Sequence, residues 1–570
     1  MTESRTLLPG TPGEVPAWYR KPGVWAWTAM GATALLFANL AWQRRWMSDD
    51  GLIVLRTVRH LYEGNGAVFN AGERVEANTS TLWTFLVWLF GLIPGAGLEW
   101  VAVVTGLVCA VGGLVLAMAG ARRLHRPAGT GLVLPAGALL VCALPPFLDF
   151  ATSGLETGLI SLWLGGSWWL VVRRATGVTE RSWPVALALG LGPLVRPDLA
   201  LFSAFGFAAL SFVAWRGWLR ALGLVAVAGA LPLAYQVFRM GYYGLVTPNT
   251  AVAKEASAVH WDRGLRYLAD LVSPYTLWLP LLLLAGVFVL VARLLPRTRV
   301  TLVLIAFPLL AGLVMAVYVL RIGGDFMHGR MLLPALFALL LPVMAVPVTR
   351  WTALLVAAVG GWALVAGIWL RVPYDADARH YDPATGIADE RGYWSAASGR
   401  EHPMHGDDYA TAMGLREAEA MLREAPSSMV IAQRGSWLRY PAAAPDGTFV
   451  VGSIGALGMV APLEVRVHDV YGLVSPLAAH SEAAGSRRSG HEKDLPPAWN
   501  VADGGGAGEG ALPADQIAAA RVALECAEIR EMLDSVRAPL TANRFWDNLT
   551  GAFARSALRY PADPRQVACR

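Results

Sequence analysis

The sequence predicts a membrane α-helical bundle followed by a C-terminal α/β domain outside the cytoplasm. Of the 570 residues, 55% are hydrophobic and only 16% are charged, whereas soluble domains carry about 25% charged residues. Apolar runs recur as far as Leu370 and then give way to mixed helix, strand and turn patterns. The 23 tryptophans suit aromatic belts at a membrane surface. The net charge of +5 comes without a long basic run, so nothing points to nucleic acid as a partner.

About eleven apolar segments approach the length that crosses a bilayer, which is roughly 17–25 residues. The first, Val24–Trp42, is followed by no small-residue cleavage site, so we interpret it as a retained helix rather than a signal peptide. The other ten are Leu98–Gly120, Gly129–Ala143, Leu155–Val172, Trp183–Val195, Leu199–Trp215, Leu219–Phe238, Tyr275–Ala292, Thr301–Leu320, Met331–Val348 and Trp351–Leu370. A further apolar stretch, 81–95, is expected to lie in the interface without crossing.

The arginines between these segments predict the orientation of the chain. They cluster in alternate loops, and the positive-inside rule places those loops in the cytoplasm. Segment 1–23 is then cytoplasmic, 24–370 is the membrane domain with an outer loop at 43–97, and 371–570 is a periplasmic domain. Arg44 and Arg45 run against the rule, because they follow the first span on the outer side. The later loops outweigh them, so we expect a multi-pass plasma-membrane protein.

The C-terminal domain shows the alternation of patterns expected of an α/β fold. Residues 407–425 have helical periodicity, and "SMVIA" and "GTFVVG" read as short buried strands. Cys526 and Cys569 both lie in this polar part, where a disulfide would be stable outside the cytoplasm. Cys109 and Cys142 lie in apolar runs and are expected to be packing residues.

Polar clusters follow alternate spans and therefore converge on one side of the membrane. Asp49 and Asp50 follow the first span, and the later clusters are "DFATSGLE" (149–156), "RPD" (196–198), "YYGLVTPNTAVAKE" (242–255) and "GGDFMHGR" (323–330). Ionisable groups near membrane depth usually line a cavity or pair with one another. Five converging segments therefore predict a single site with carboxylates and cations.

Each cluster also has a purely structural interpretation. The aspartate pair could cap a helix, "RPD" could be a turn with an internal ion pair, and Lys254 could extend its stem along apolar surface. In the functional interpretation, a carboxylate above the bilayer deprotonates a sugar hydroxyl while a lipid-linked donor stays anchored below. The apolar residues of 52–61 would then lie flat on the membrane, and Arg56 and Arg59 would point towards water or headgroups.

Four strings in the chain resemble a known family. "SDDGLIVLRTVRHLYEGNGAVFNAGERVEANTSTLW", "YYGLVTPNTAVAKE", "GGDFMHGRMLLP" and "SGHEKDLPPAW" look like the GT-C glycosyltransferases. More narrowly, they are similar to the actinobacterial family of terminal β-(1→2)-arabinofuranosyltransferases. The similarity runs from about residue 20 to the "GHEK" region. It implies a decaprenyl-phosphoryl-arabinofuranose donor and an acceptor at the non-reducing ends of the arabinan of arabinogalactan and lipoarabinomannan.

The resemblance also implies roles for individual residues. Asp49 or Asp50 would be the catalytic carboxylate, and their adjacency does not decide between them. Candidates for the donor phosphate are Arg196, Lys254, His328 and Arg330. Candidates for contacts to the sugar or the acceptor are Glu156, Asp198, Tyr243, Asn249, Asp325, His491 and Lys493.

Three points stay open at the level of sequence. The aspartate pair could hold a divalent cation or work without one, and no other cofactor is implied. If donor and product are both β-anomers, the reaction retains the configuration at the anomeric carbon. Either the two aspartates divide the roles of nucleophile and base, or the phosphate leaves and the acceptor hydroxyl attacks on the same face of the sugar. A flippase for lipid-linked saccharides, a transferase for another sugar or linkage, and a non-catalytic glycan-binding protein are the competing functions. A flippase predicts ionisable residues in mid-span, where this sequence has almost none.

Overall fold

The structure is a computed structural model, and it describes residues 22–128, 132–255, 258–370, 380–433, 435–443, 447–483, 485, 488–506 and 512–569. Nearly all of the predicted N-terminal segment 1–23 lies outside the described residues. The predicted start of the C-terminal domain, 371–379, also lies outside them.

The region up to residue 370 is almost entirely helical. Its helices are α1 (Pro22–Gln43), α2 (Asp49–Tyr62), α3 (Thr81–Phe90), α4 (Leu98–Leu124), α5 (Ala136–Ala143), α6 (Pro145–Asp149), α7 (Thr157–Ala175), α8 (Trp183–Gly190), α9 (Gly192–Val195), α10 (Ala200–Val213), α11 (Trp218–Tyr243), α12 (Asn249–Ala253), α13 (Trp261–Val272), α14 (Trp278–Ala292), α15 (Arg299–Arg321), α16 (Leu333–Leu340) and α17 (Arg350–Ile368). Two short strands, β1 (Val133–Leu134) and β2 (Val346–Pro347), pair antiparallel.

Five of the described helices are long and apolar enough to cross a membrane, namely α1, α4, α11, α15 and α17. These helices indicate a membrane protein. Five of the other six predicted spans correspond to shorter or interrupted helices. The sixth corresponds to α7, which has 19 residues and carries Arg173 and Arg174 in its last turn. Segment 81–95 forms only the ten-residue α3. The count of eleven spans therefore stays a prediction.

Helix α2 does not lie on an open membrane surface as the sequence suggested. It packs between α3 and a helix of the C-terminal domain, and its apolar residues Leu52, Leu55 and Val58 are fully buried. Arg56 is also buried rather than turned to water. Its guanidinium donates hydrogen bonds to the backbone carbonyls of Phe69, at 3.0 Å, and Val465, at 2.8 Å. Because these carbonyls come from two different domains, Arg56 fastens the first loop to the C-terminal domain.

Arg44, which ran against the charge rule, is neutralised by a carboxylate from another loop. Its Nε and Nη2 lie 2.6 Å and 2.9 Å from the two carboxylate oxygens of Asp149. Such a two-point pairing holds the guanidinium plane in place. The charge of Arg44 therefore serves the packing of α1 against α6.

The C-terminal part combines a four-stranded sheet with helices, as the sequence predicts. The strands are β3 (Ser428–Gln433), β4 (Ser436–Pro441), β5 (Thr448–Val451) and β6 (Arg466–Asp469), in the order β4-β3-β5-β6. Strand β3 is antiparallel to β4 and parallel to β5, which is parallel to β6. The helices are α18 (Glu390–Ser398), α19 (Leu415–Glu424), α20 (Ile454–Val460), α21 (Pro476–His480), α22 (Pro497–Asp503), α23 (Ala514–Leu524), α24 (Ala527–Arg537) and α25 (Ala542–Ala557).

The last helices return to the membrane bundle. Phe545 of α25 packs against Gly241 near the end of α11, and the amide of Asn548 donates to the Gly241 carbonyl at 3.1 Å. Cys526, directly before α24, forms a disulfide with Cys569. Cys109 and Cys142 are free and buried. The chain end is thus tied to the C-terminal domain by a covalent bond.

Candidate active site

The predicted polar clusters meet in one cavity beyond the C-terminal end of α1. The cavity has a volume of about 210 Å³. Its charged lining residues are Asp50, Glu156, Arg196, Asp198, Lys254, Asp325 and Arg330. Every one of the five sequence segments that we expected to converge contributes at least one of these residues.

Arg330 stands between two carboxylates of the cavity. Its Nη2 lies 2.8 Å from Asp325 Oδ2, and its Nη1 lies 3.9 Å from Asp50 Oδ2. Burial alone would lower the pKa of Arg330, but Asp325 and Asp50 raise it above its ordinary value. Burial alone would raise the pKa of Asp325, but Arg330 and Lys254 hold it below its ordinary value. Both groups are therefore ionised at neutral pH.

A second guanidinium, that of Arg196, is clamped at another wall of the cavity. Its Nε lies 2.9 Å from Asp198 Oδ1 and its Nη1 lies 3.4 Å from Glu156 Oε1. Proline at position 197 begins a 3₁₀ turn, which brings Asp198 back beside Arg196. The ion pair that the sequence allowed within "RPD" is therefore present, and it faces the cavity.

Lys254 differs from the two arginines of the cavity, because it acts on the nearest carboxylate, that of Asp325, only through its charge. It follows α12, and no ion pair of its ammonium group is present within the described residues. Its stem lies against Gly490, which also lines the cavity. An ammonium group in this setting is available to an anionic ligand.

The same cavity has an apolar wall. Ile53, Val54 and Leu155 line it, together with Tyr318 and Ile322 at the end of the spanning helix α15. Charged groups and apolar surface therefore face one space at the end of the membrane bundle. A ligand with a charged head and an apolar chain would match both surfaces.

The two adjacent aspartates have different surroundings. The side chain of Asp50 is 22% exposed and faces the cavity. Asp49 is buried, and its carboxylate accepts hydrogen bonds from the backbone N–H groups of Gly455, at 3.2 Å, and Ala456, at 2.8 Å. Burial raises the pKa of Asp49 to about 6, although both hydrogen bonds oppose this. Asp49 thus holds the first turn of α20, and Asp50 is the aspartate available for chemistry.

A third carboxyl group, Glu390, approaches this region from α18. Ser48 Oγ donates to Glu390 Oε1 at 3.0 Å, and the Trp394 indole donates to the same oxygen at 3.3 Å. Glu390 Oε2 is buried without a partner among the described residues. Burial and the charge of Asp50 raise the pKa of Glu390 to about 8. Glu390 therefore keeps its proton to a higher pH than an ordinary glutamate does.

Three of the predicted site residues have structural partners instead of lining the cavity. His328 Nδ1 lies 2.6 Å from Asp270 Oδ2, and its Nε2 lies 3.0 Å from the Tyr275 hydroxyl. The Tyr243 hydroxyl donates to the Ala67 carbonyl at 2.8 Å. The Asn249 amide donates to the Gly472 carbonyl at 2.7 Å. Each of them ties loops of the site together.

The "GHEK" segment reaches the cavity, but through different residues than expected. Ser489 and Gly490 line it, whereas His491 packs between Phe326 and Tyr471. Burial lowers the pKa of His491 to about 3. Lys493 is buried and donates to the Ala479 carbonyl. The segment therefore supplies a small, polar edge rather than charged groups.

Sequence reasoning missed several lining residues. Asn78, Thr79 and Ser80, directly before α3, line the cavity. All three lie inside a string that resembled the family, so their polarity could have marked them. Glu390 gave no such signal, since "DERGYW" reads as an ordinary helix start with acidic residues.

The aspartate pair does not present two carboxylates to one metal ion, because Asp49 faces the N–H groups of α20. Within the described parts of the chain, no group of three or more His, Cys, Asp or Glu residues is arranged to hold a metal ion.

Comparison with known proteins gives consistent relatives. Residues 412–568 match the model of the AftB family C-terminal domain. A terminal β-(1→2)-arabinofuranosyltransferase of Mycobacterium tuberculosis is 38% identical over 95% of this chain and 96% of its own length. A protein of the same name from Corynebacterium glutamicum is 36% identical over 91% of this chain and 83% of its own length. No solved structure matches the chain.

The apolar helices, the cavity with its charged and apolar walls, and these relatives define a membrane-bound glycosyltransferase. The chain belongs to the family of terminal β-(1→2)-arabinofuranosyltransferases.

Proposed function

We propose that this enzyme transfers arabinofuranose from decaprenyl-phosphoryl-arabinofuranose to the non-reducing ends of cell-wall arabinan, forming terminal β-(1→2) linkages. The acceptors are arabinogalactan and lipoarabinomannan. The observation that carries the proposal is the single cavity in which Asp50, Arg330, Lys254 and an apolar wall face one another. The relatives, whose names state this linkage, support it.

In this proposal each group of the cavity has one task. Asp50 accepts the proton of the attacking acceptor hydroxyl as that oxygen bonds to the anomeric carbon. The bond from the anomeric carbon to the phosphate oxygen breaks, and decaprenyl phosphate leaves. Arg330, Lys254 and Arg196 stabilise the charge that develops on the phosphate. Glu156, Asp198 and Asp325 hold these cations in place and contact the sugars.

The different surroundings of the two aspartates favour one route to a retained configuration. Asp49 is occupied by two N–H groups, so a pair of carboxylates that divides the roles of nucleophile and base is disfavoured. Attack and departure on the same face of the sugar, with the phosphate close to the entering hydroxyl, need only Asp50. Five predicted site residues do not line the cavity and would position the segments that do, namely His328, Tyr243, Asn249, His491 and Lys493.

The proposal includes the remaining architecture of the chain. The membrane domain is of GT-C type with about eleven spans and a cytoplasmic N-terminus. The cavity and the C-terminal domain lie on the periplasmic side of the plasma membrane. The alternation of loop arginines supports this orientation.

The test uses the purified full chain with a short-chain polyprenyl-phosphoryl-arabinofuranose and a synthetic arabinan acceptor. Wild type should add one arabinofuranose, and NMR of the product should show a β-(1→2) linkage. We expect Asp50→Asn to lower kcat by about 10²–10⁴-fold, whereas folded Asp49→Asn should keep most of its turnover. An Asp50→Asn variant with wild-type turnover would refute the assignment. Absence of transfer combined with lipid scrambling in liposomes would favour a flippase.

A further inference from the structure

A second charged pocket lies at the other end of the membrane bundle. It has a volume of about 490 Å³ and lies between α1, α4, α7 and the strand pair. Four arginines line it, namely Arg122, Arg123, Arg126 and Arg173. None of the described residues that line it is acidic. The pocket therefore concentrates positive charge.

The position of this pocket separates it from the site around Asp50. Trp27, in the second turn of α1, lines the pocket, whereas Asp50 follows the opposite end of the same helix. Helix α1 has 22 residues, so at 1.5 Å per residue it is about 33 Å long. The pocket thus belongs to the membrane surface away from the Asp50 cavity.

The arginines are held by aromatic rings and polar groups rather than by carboxylates. Arg122 lies over the Trp27 ring at 5.2 Å and Arg173 over the Trp169 ring at 4.4 Å. Arg123 Nε donates to Thr176 Oγ1 at 2.6 Å. None of the four lining arginines has an ion pair within the described part of the chain. Their charge is therefore not neutralised by the residues that position them.

The pocket also contains an unpaired buried polar group. His125, which follows α4, is 4% exposed and lines the pocket. Its Nε2 lies 2.7 Å from the Pro342 carbonyl, and its Nδ1 has no partner among the described residues. Because Nε2 carries the hydrogen that the carbonyl accepts, Nδ1 is an acceptor and can receive a headgroup hydroxyl, but not a phosphate oxygen.

We propose that this pocket binds the phosphodiester headgroup of an anionic membrane lipid. Basic pockets between membrane helices suit such headgroups, because guanidinium groups pair with phosphate oxygens in two-point contacts. Trp27 and Trp169 also line the pocket, and tryptophan rings favour the interface between headgroups and acyl chains. The site is independent of the transfer reaction and leaves the Asp50 cavity free for its substrates.

Native mass spectrometry of the full chain, supplied with phosphatidylglycerol or phosphatidylcholine, tests this site. Wild type should retain phosphatidylglycerol at least about tenfold better than phosphatidylcholine, and inorganic phosphate should not displace it. Arg122→Gln combined with Arg173→Gln should remove the preference. Arg216→Gln combined with Arg220→Gln is the matched control, because these arginines lie outside the pocket.

Arg330→Gln separates this pocket from the Asp50 cavity, since it should keep the bound phosphatidylglycerol. Retention of the lipid by the Arg122/Arg173 variant would overturn the proposal. Equal loss in the control variant would do so as well, because it would indicate a general effect of charge. Loss in Arg330→Gln would place the lipid in the other cavity and also overturn it. Displacement of phosphatidylglycerol by inorganic phosphate would indicate that the pocket binds free phosphate rather than a lipid headgroup, and it would also overturn the proposal.

Discussion

The carboxylate of Asp50 lies 3.9 Å from Nη1 of Arg330, although the two residues follow the first and the ninth predicted spans. A second carboxylate, that of Asp325, holds the other side of the same guanidinium at 2.8 Å. The pairing keeps Arg330 ionised and fixed in orientation before any substrate arrives. Preorganised charge of this kind costs no reorganisation during the reaction.

Arg330→Gln should therefore impair the reaction, and it should also lower the melting temperature, because it removes the closest ion-pair partner of the buried Asp325. We expect kcat/KM for the lipid donor to fall by about 10²–10³-fold, as for the loss of a group that stabilises developing charge. Steady-state kinetics with varied donor measures this. Arg423→Gln, which removes an exposed arginine paired with Glu419, is the control and should be silent. Equal kinetics for the two variants would remove Arg330 from the site.

Lys254→Met should act mainly on the affinity for the donor. The ammonium group makes no ion pair within 4.0 Å among the described residues, and Asp325, which feels its charge, keeps Arg330 as its partner, so its removal leaves no buried charge unpaired. We expect a rise of about tenfold in KM for the donor with a stable fold. A fall in melting temperature with unchanged KM would instead indicate a structural role.

Glu390 should make stability depend on pH. Its pKa is about 8 in the folded chain, against an ordinary value of 4.5, so the folded state binds more protons between these values. Stability should then fall as the pH rises through this window and level off above about pH 8. Glu390→Gln, which imitates the protonated form, should flatten this part of the profile.

Melting temperatures of wild type and Glu390→Gln between pH 5 and pH 9 measure the difference. The variant should melt at the same temperature as wild type at pH 5 and at a higher one at pH 8.5. Parallel profiles for the two proteins would show that Glu390 keeps an ordinary pKa.

Gly455→Ala should loosen the contact between α2 and α20. A Cβ atom at this position would lie 1.8 Å from the backbone oxygen of Asp49, and backbone atoms cannot move aside cheaply. Overpacking of this kind costs about 1–3 kcal/mol, so the melting temperature and the turnover should both fall. Gly31→Ala, where no atom lies within 4 Å of the new Cβ, should not lower either. If the two variants behave alike, the contact is not tight.

The disulfide joins Cys526 and Cys569, which are 43 positions apart in the sequence. Its reduction, or Cys526→Ser, should lower stability by about 2–4 kcal/mol. Peptide mapping without reductant should recover the cross-linked pair from protein exported by the cell. Recovery of both cysteines as free thiols would contradict the assignment and count against an oxidising compartment.

The sequence predicted which segments meet, but not which side chain of a segment faces the cavity. Alternate spans must end on the same side of a membrane, so hydropathy together with the loop arginines predicted that Asp50, Arg196 and Arg330 lie on one side. Adjacent residues on a helix differ by about 100° in direction, so Asp49 and Asp50 could be separated only by their partners. Those partners include Gly455 of the C-terminal domain. No local sequence pattern predicts that this domain packs against α2.

The same limit explains the errors for Arg56 and Glu390. The periodicity of α2 predicts an amphipathic helix with one apolar face. Such a face can be covered either by a membrane surface or by a protein domain, and the sequence of α2 does not distinguish the two. The burial of Arg56 depends on the carbonyl of Val465, far along the chain. Glu390 enters the site because α18 packs beneath Ser48, which is a long-range contact without a sequence signature.

Asp49 of α2 contacts the C-terminal domain and its neighbour Asp50 lines the cavity, so an exchange of domains between relatives should follow a specific rule. A chimera that replaces the C-terminal domain must also carry α2 from the same parent, since Asp49 is matched to the first turn of α20. A mismatched pair would shift the register of α2 and move Asp50 with it. Separate evolution of the two parts of the chain is therefore constrained at α2, in addition to the contact between α11 and α25.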